Sequence, residues 1–362
     1  MQPSGESTLV SRIRRFMESP ECDDFNALAL GVFAHQYEHI EAVRRLADLT
    51  GRTPGTIEQW TDIPPVPARA FKRYRLFTAA DIAHTFTSSG TSGAVRSEAH
   101  FSKAGLELMT ASIIHNAQQF FLPDGRATVI LVLAPSPELA PGMIMAWGMR
   151  RLIEHFGRSG SRFLVTPDGL DRKALMETLG TCTESQIPVT LIGASFGFVH
   201  LLDGLTANTT RFQLPGGSRL MDAGGFKGRS RVVERSELDA AIHDRLGIPP
   251  HRSVNLLGMT ELASQFYDGV MVQGSARYRS KQNAPWTRTQ VLDPRTMQPA
   301  KHGEPGLLCH WDLANVERPM VILTDDLGAT EPTGWHVLGR ARGAESKGCS
   351  LTIDDMLQGH AR

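Results

Sequence analysis

Between residues 73 and 335 the chain alternates short apolar runs with amphipathic stretches, and this alternation restricts the fold more than any other feature. Thr128–Ala134 (TVILVLA), Arg162–Thr166 (RFLVT), Pro188–Gly193 (PVTLIG), Arg219–Ala223 (RLMDA) and Ser253–Leu257 (SVNLL) are each the length of a buried strand. Gly, Pro or polar residues bound them, so strands are predicted. Leu139–Phe156, Leu170–Cys182 and Ser236–Arg245 lie between them with helical character. Strands alternating with helices imply βαβ units and a largely parallel sheet. The expected fold class is α/β with layered βαβ sheets, and the length of 362 residues fits one large domain or two lobes.

The flanks have a different texture. In residues 1–60, Phe25, Leu28, Leu30, Val32, Phe33, Tyr37 and Ile40 recur near helical spacing, which predicts a helical N-terminal segment punctuated by Gly51 and Pro54. DIPPVPARAFK (62–72) is Pro-rich and reads as an extended connector. From Gly303, GEPGLLCHW and RPMVILTDD read as strands joined by turns in a smaller β lobe. The expected division is 1–72, then a core over 73–338, then a short polar tail over 339–362.

Thirty-eight basic residues balance 38 acidic ones, so no charge excess points to nucleic acid or an anionic membrane. No apolar run reaches the roughly 20 residues of a spanning helix, and the N-terminus lacks the apolar core of a signal peptide. The expectation is a soluble cytoplasmic protein. The four cysteines, Cys22, Cys182, Cys309 and Cys349, are far apart, which argues against a disulfide framework or a cysteine metal site.

Three motifs can carry chemistry. In Thr87–Arg96 (TSSGTSGAVR) two glycines allow backbone amides close to an anion, hydroxyls of Ser88, Ser89, Thr91 and Ser92 can donate, and Arg96 adds charge. Read alone, it is equally a flexible Ser/Gly loop. No GxxxxGK[ST] and no GxGxxG occurs. Gly258–Glu261 (GMTE) follows a strand, at the sheet edge where α/β proteins place ligands. There Thr260 can donate to a phosphate and Glu261 can hold Mg²⁺, while a capped helix start is the plain alternative. TDDLG (324–328) precedes Gly339–Arg340, so Asp326 can accept both ribose hydroxyls with Arg340 closing over the sugar. A turn with two acids is the plain alternative.

Taken in order, these motifs resemble the adenylate-forming superfamily of acyl-CoA synthetases, luciferases and peptide-synthetase adenylation domains. SSGTSGAVR (88–96) stands for its phosphate loop, with Arg96 where the family has lysine. LGMTE (257–261) stands for its aromatic-Gly-x-[ST]-Glu motif, and TDD (324–326) for Thr-Gly-Asp. IPPVPARAFK (63–72), GGFKGRSR (224–231), LLGMTELASQFYD (256–268) and ESKGCSL (345–351) further resemble the LuxE-type acyl-protein synthetases, distantly similar to phenylacetate-CoA ligases.

The resemblance implies the adenylate-forming large-domain fold with a truncated C-terminal tail lacking the usual mobile lobe. It implies that Ser88, Ser89, Gly90, Thr91, Ser92, Gly93 and Arg96 wrap the ATP phosphates. Gly224, Gly225 and Phe226 would meet adenine, Thr260 and Glu261 the α-phosphate and Mg²⁺, and Asp326 and Arg340 the ribose. The implied reaction joins a carboxylic acid, by family a long-chain fatty acid, to AMP. The acyl group then passes to a thiol, with Cys349 as the implied acceptor and Lys347 lowering its pKa. An acyl reductase subunit is the implied partner. In place of the lobe's lysine the resemblance leaves Lys347 and Lys227. A ligase loading CoA or a carrier protein, and a non-catalytic nucleotide- or acyl-binding subunit, are the alternatives. For the acyl chain itself, small residues in Ile192–Val199 (IGASFGFV) can leave room, and ordinary strand-to-helix packing is the alternative.

Overall fold

The computed structural model describes residues 5–88, 96–224, 230–277 and 279–340. The chain divides into two compact units: residues 5–116, 259–266 and 280–340 form one, and 117–258 and 267–279 the other.

The second unit is built on the predicted parallel sheet. Ser253–Leu257, Arg219–Ala223, Val189–Ala194, Val129–Pro135 and Arg162–Thr166 lie side by side in that order, all parallel. Gly169–Leu170 returns antiparallel at the edge. Every residue of Val129–Pro135 and Val189–Ala194 is buried, which explains why those runs are continuous in apolar residues and do not alternate. Helices Arg172–Glu184, Ser195–Ala207 and Arg235–Leu246 supply Leu175, Leu179, Leu201, Leu205, Leu238 and Ile242 to the same core as Leu131 and Leu191. Asp171 starts the first of these, its carboxylate accepting from the Ala174 amide at 2.9 Å. The predicted helix Leu139–Phe156 begins later, at Ile144, because Pro141 and Gly142 break its first turn. Helix Ser195–Ala207 overlaps the stretch considered for an acyl chain. There, all of Ile192–Val199 is buried, and the space beside Gly193 is filled by Leu133 and Phe198, 3.1 and 3.3 Å from where a Cβ would stand. Strand-to-helix packing accounts for Gly193.

The first unit opens with helices Gly5–Glu18, Phe25–His39 and Glu41–Thr50. Asp24 caps the second by accepting from Ala27, and Gly51 ends the third. Within the connector Val66–Pro67 pairs parallel to Val321–Glu331, and Ala68–Lys72 then turns as a 3₁₀ helix. Thr287–Leu292, Gly306–Asp312, Val321–Glu331 and Gly334–Arg340 form an antiparallel meander. A separate hairpin joins His84–Thr87 to Glu98–Phe101. Among the described residues no helix is long and apolar enough to cross a membrane. Cys182 and Cys309 are buried and Cys22 is exposed, all free thiols.

Candidate active site

The hairpin fixes both ends of the serine-glycine loop. Thr87 pairs with Glu98, and the Ser88 amide donates to the Ser97 carbonyl at 2.9 Å. The Ser97 amide in turn donates to Ser88 Oγ at 2.9 Å. Ser88 is therefore buried at the loop's mouth, closing it, a task its sequence context does not announce. Arg96 stands exposed on the other side. Ser89, Gly90, Thr91, Ser92 and Gly93 lie outside the described residues. Phe86 and Phe101 pack edge-to-face beneath, with ring centroids 5.3 Å apart.

Thr260 and Glu261 follow the strand Ser253–Leu257, and both are 3% exposed. A buried polar frame within the first unit holds their segment. Asp312 accepts from the amides of Ala263 and Ser264 at 2.9 and 2.8 Å, and from the Ser264 hydroxyl at 2.7 Å. Asn315 Nδ2 donates to the Glu261 carbonyl at 2.9 Å. Burial pushes the Asp312 carboxyl up, partly offset by the Ser264 and amide donors and by Arg318. Among the described residues no three His, Cys, Asp or Glu side chains gather as a metal cage.

The Asp326–Arg340 pair is assembled by a β-bulge. Asp326 is not in a turn: it lies within Val321–Glu331, directly across from Arg340 in Gly334–Arg340. Arg340 Nε stands 3.1 Å from Asp326 Oδ1. Up to Gly328 the register pairs Glu331 with Gly334 and Gly328 with Val337; beyond it, Leu327 pairs with Gly339. Leu338 is the extra residue, and this one-residue shift decides which side chain faces Asp326. Gly339 accommodates it with φ 147°, a conformation that residues with a Cβ rarely adopt. Gly328 serves close approach: a Cβ there would stand 2.5 Å from Leu308 Cδ2 and 2.6 Å from the His336 carbonyl. Thr324 sets the entry, its hydroxyl donating to the Leu308 carbonyl at 2.9 Å and accepting from the Asp326 amide at 3.1 Å.

In the second unit, Gly224 ends the strand Arg219–Ala223 at φ 77°. The Ser195 hydroxyl lies 2.6 Å from Asp222 Oδ2 and 3.0 Å from the Gly224 carbonyl, tying the start of that turn to the sheet. Burial opposes ionisation of Asp222, but Arg235, Ser195 and Asn255 outweigh it and hold the carboxyl below its usual range. Gly225, Phe226 and Lys227 lie outside the described residues, as do Lys347 and Cys349.

One group escaped the sequence reading. Residues 311–320, WDLANVERPM, are buried without exception, although Asp312, Asn315, Glu317 and Arg318 are polar or charged. The Gln36 side chain donates to the carbonyls of Asn315, Val316 and Arg318 and accepts from the Met320 amide. The available signal was a dense polar run between two apolar strands, which periodicity assigns to an exposed turn.

A sequence profile of the acyl-protein synthetase LuxE family matches residues 9–358, nearly the whole chain. The chain belongs to the LuxE acyl-protein synthetase family. Membership makes it a ligase. The LuxE chain is 25% identical over 346 residues to a long-chain-fatty-acid–luciferin-component ligase of Vibrio harveyi, covering 90% of this chain and 86% of that one. A protein of the same name from Aliivibrio fischeri is 26% identical over 314 residues, covering 82% and 79%. Among solved structures, 2-hydroxyisobutyryl-CoA ligase with 2-HIB-AMP and CoA superposes with a TM-score of 0.61 at 14% identity, covering 95% of the LuxE chain and 70% of the ligase. A long-chain-fatty-acid-CoA ligase of Archaeoglobus fulgidus gives 0.52 at 12% identity, covering 72% and 52%. The fold is that of the adenylate-forming ligases.

Proposed function

We propose that this LuxE chain uses ATP to convert a long-chain fatty acid to its acyl-adenylate and then moves the acyl group to a thiol, its own Cys349. The observation that carries the reading is the pairing of Asp326 with Arg340 across the bulge, 3.1 Å apart and only partly exposed. A carboxylate held this way can accept two vicinal hydroxyls while the guanidinium beside it stays charged. The loop whose ends Ser88 and Ser97 join, with Arg96 exposed beside them, supports the phosphate side of the reading. The fatty-acid names of the two Vibrionaceae-type relatives support the substrate class.

A carboxylate oxygen of the acid attacks the α-phosphorus, the bond to the bridging oxygen breaks, and pyrophosphate leaves. Phosphoryl chemistry asks the protein mainly for positioning and charge neutralisation. Thr260 and Arg96 are the assigned donors, and Glu261 the assigned carboxylate for the Mg²⁺ that enters with ATP. The Cys349 thiolate then attacks the acyl carbonyl, the acyl–phosphate bond breaks, and AMP leaves. A thioester keeps the acyl group activated for a reductase. Lys347, two residues from Cys349, favours the thiolate.

The test is pyrophosphate exchange across a series of acids, with mass spectrometry of the intact protein. A long-chain acid should support exchange and leave one hydroxylamine-labile acyl group that Cys349→Ser abolishes. An acyl group retained in that variant, or CoA turnover indifferent to it, would replace self-acylation with a CoA ligase. ATP binding without exchange for any acid would overturn the enzymatic reading.

A further inference from the structure

The buried segment 311–320 touches both halves of the phosphate machinery in the first unit, and nothing in the reaction as described uses it. The Arg318 guanidinium lies over the Phe101 ring, 3.5 Å from its centroid, and Nη1 donates to the His100 carbonyl at 3.3 Å. Both partners belong to the strand that leaves the phosphate loop. Nη2 of Arg318 donates to Asn315 Oδ1. Asn315 Nδ2 donates to the Glu261 carbonyl at 2.9 Å and to that of Pro319 at 3.1 Å. A guanidinium only donates, so the Asn315 oxygen must face it and the amide nitrogen must face the carbonyls. The asparagine thus has one orientation.

We propose that Arg318 and Asn315 are positioning residues that hold the phosphate-loop hairpin and the Glu261 segment in one fixed frame for adenylation. The proposal rests on the reading of Glu261 given above. Stability alone does not call for this arrangement. Burying a charge is costly, and well-packed apolar side chains of similar volume stabilise as well or better. Burial pulls the Arg318 pKa down to about 10, with Glu317 and Asp312 opposing, so it stays cationic at neutral pH. Arg318 Nε has no hydrogen-bond partner among the described residues, but the bonds through Nη1, Nη2 and Asn315 fix one geometry. That is what a reaction run on positioning needs, since misplacement by about 1 Å can cost on the order of 100-fold. Neighbouring contacts act in the same sense. The Glu317 carboxylate accepts from the Ser102 amide at 3.1 Å and from its hydroxyl, pinning the far end of the hairpin. Asp312 pins the segment beyond Glu261.

Asn315→Asp keeps the shape and removes the donor to Glu261; Arg318→Lys keeps the charge and removes the fork. Each should lower kcat for pyrophosphate exchange about 10- to 100-fold at equal folded fraction, with the ATP Kd little changed; the urea midpoint of Asn315→Asp should also fall, because the carbonyls of Glu261 and Pro319 lose their donor. Half-saturating Mg²⁺ should rise in Asn315→Asp. The deciding measurement is the double variant with Glu261→Gln. If Asn315 acts through Glu261, the double variant loses no more than Glu261→Gln alone. Losses that multiply, or that follow the unfolded fraction in both single variants, overturn the proposal while leaving the role of Glu261 standing. Glu261→Gln with wild-type exchange would instead overturn that role and the relay with it. Should Asn315→Asp fail to fold, Asn315→Ser, too short to keep the bond to the Glu261 carbonyl, crossed with Glu261→Gln gives the same discrimination.

Discussion

Gly339→Ala tests whether the bulge assembles the proposed nucleotide site. A methyl group at Gly339 would meet nothing within 4 Å, so no clash confuses the result. The cost comes from the backbone alone: φ 147° is foreign to alanine and should cost about 1–3 kcal/mol of stability. The strand can relieve that strain by losing the bulge. A one-residue slip then turns Arg340 to the opposite face of the strand and leaves Asp326 without it. A hydrogen bond to a charged group is worth about 1.5–3 kcal/mol. Its loss should raise the KM for ATP about 10- to 150-fold, at tenfold for each 1.4 kcal/mol. Urea unfolding measures the first effect and pyrophosphate exchange the second. Asp326→Asn supplies the comparison, and it should also narrow the preference for ATP over 2′-deoxy-ATP. Gly339→Ala with a wild-type unfolding midpoint and a wild-type KM would refute the reasoning. So would a destabilised variant whose KM is unchanged, because the bulge would then be structural only.

Arg219 is 1% exposed and paired with Asp124 at 2.7 Å, so Asp124→Asn should cost about 3 kcal/mol by leaving a buried charge unpaired, read by thermal unfolding. Burial raises the Asp124 pKa, but the bonds and charge of Arg219 outweigh this and hold it below the usual range. The stability it gives is therefore present above the unfolded carboxylate pKa and lost as pH falls through the folded one. Asp124→Asn should lack that part of the acid transition. His310 is wholly buried, and burial lowers its pKa to about 3, so it stays neutral in the fold while the unfolded chain protonates near 6.5. The unfolded state binds the extra proton between those values, so stability falls with acidity across that window by up to about 1.4 kcal/mol per pH unit. His310→Gln should flatten the curve there; an unchanged slope would show the imidazole is accessible to protons. Gly328→Ala, with a Cβ 2.5 Å from Leu308, should destabilise by about 1–3 kcal/mol through overpacking, visible as a lower urea midpoint.

The two central strands of the parallel sheet were readable because they are buried on both faces and so appear as nearly uninterrupted apolar runs; three others, short runs bounded by turn residues, were located residue for residue, at 162–166, 219–223 and 253–257. Helix Ser195–Ala207 was missed because its first five residues are all buried, which leaves little periodicity to detect there. The Asp326–Arg340 pair was legible as two motifs at a family spacing. Their registration depends on an extra residue at Leu338 and a glycine torsion, neither of which spacing reveals. Residues 312–318 were read past because polar residues between strands usually mark an exposed turn. Here Gln36, Phe101 and Ser102 satisfy them from distant parts of the chain.

The contacts of Gln36 also bear on how the site comes into being. Its amide serves carbonyls about 280 positions away, beginning with Asn315 at a separation of 279. Closing a loop of that length costs about 5 kcal/mol of chain entropy in a simple flexible-chain estimate. The segment that it satisfies is buried and polar, so it cannot settle before helix Phe25–His39 has docked. During synthesis Gln36 precedes its partners by 279 residues or more and must wait for them. The frame around Glu261 is accordingly among the last parts to be completed, and catalytic competence should arrive after most of the secondary structure has formed.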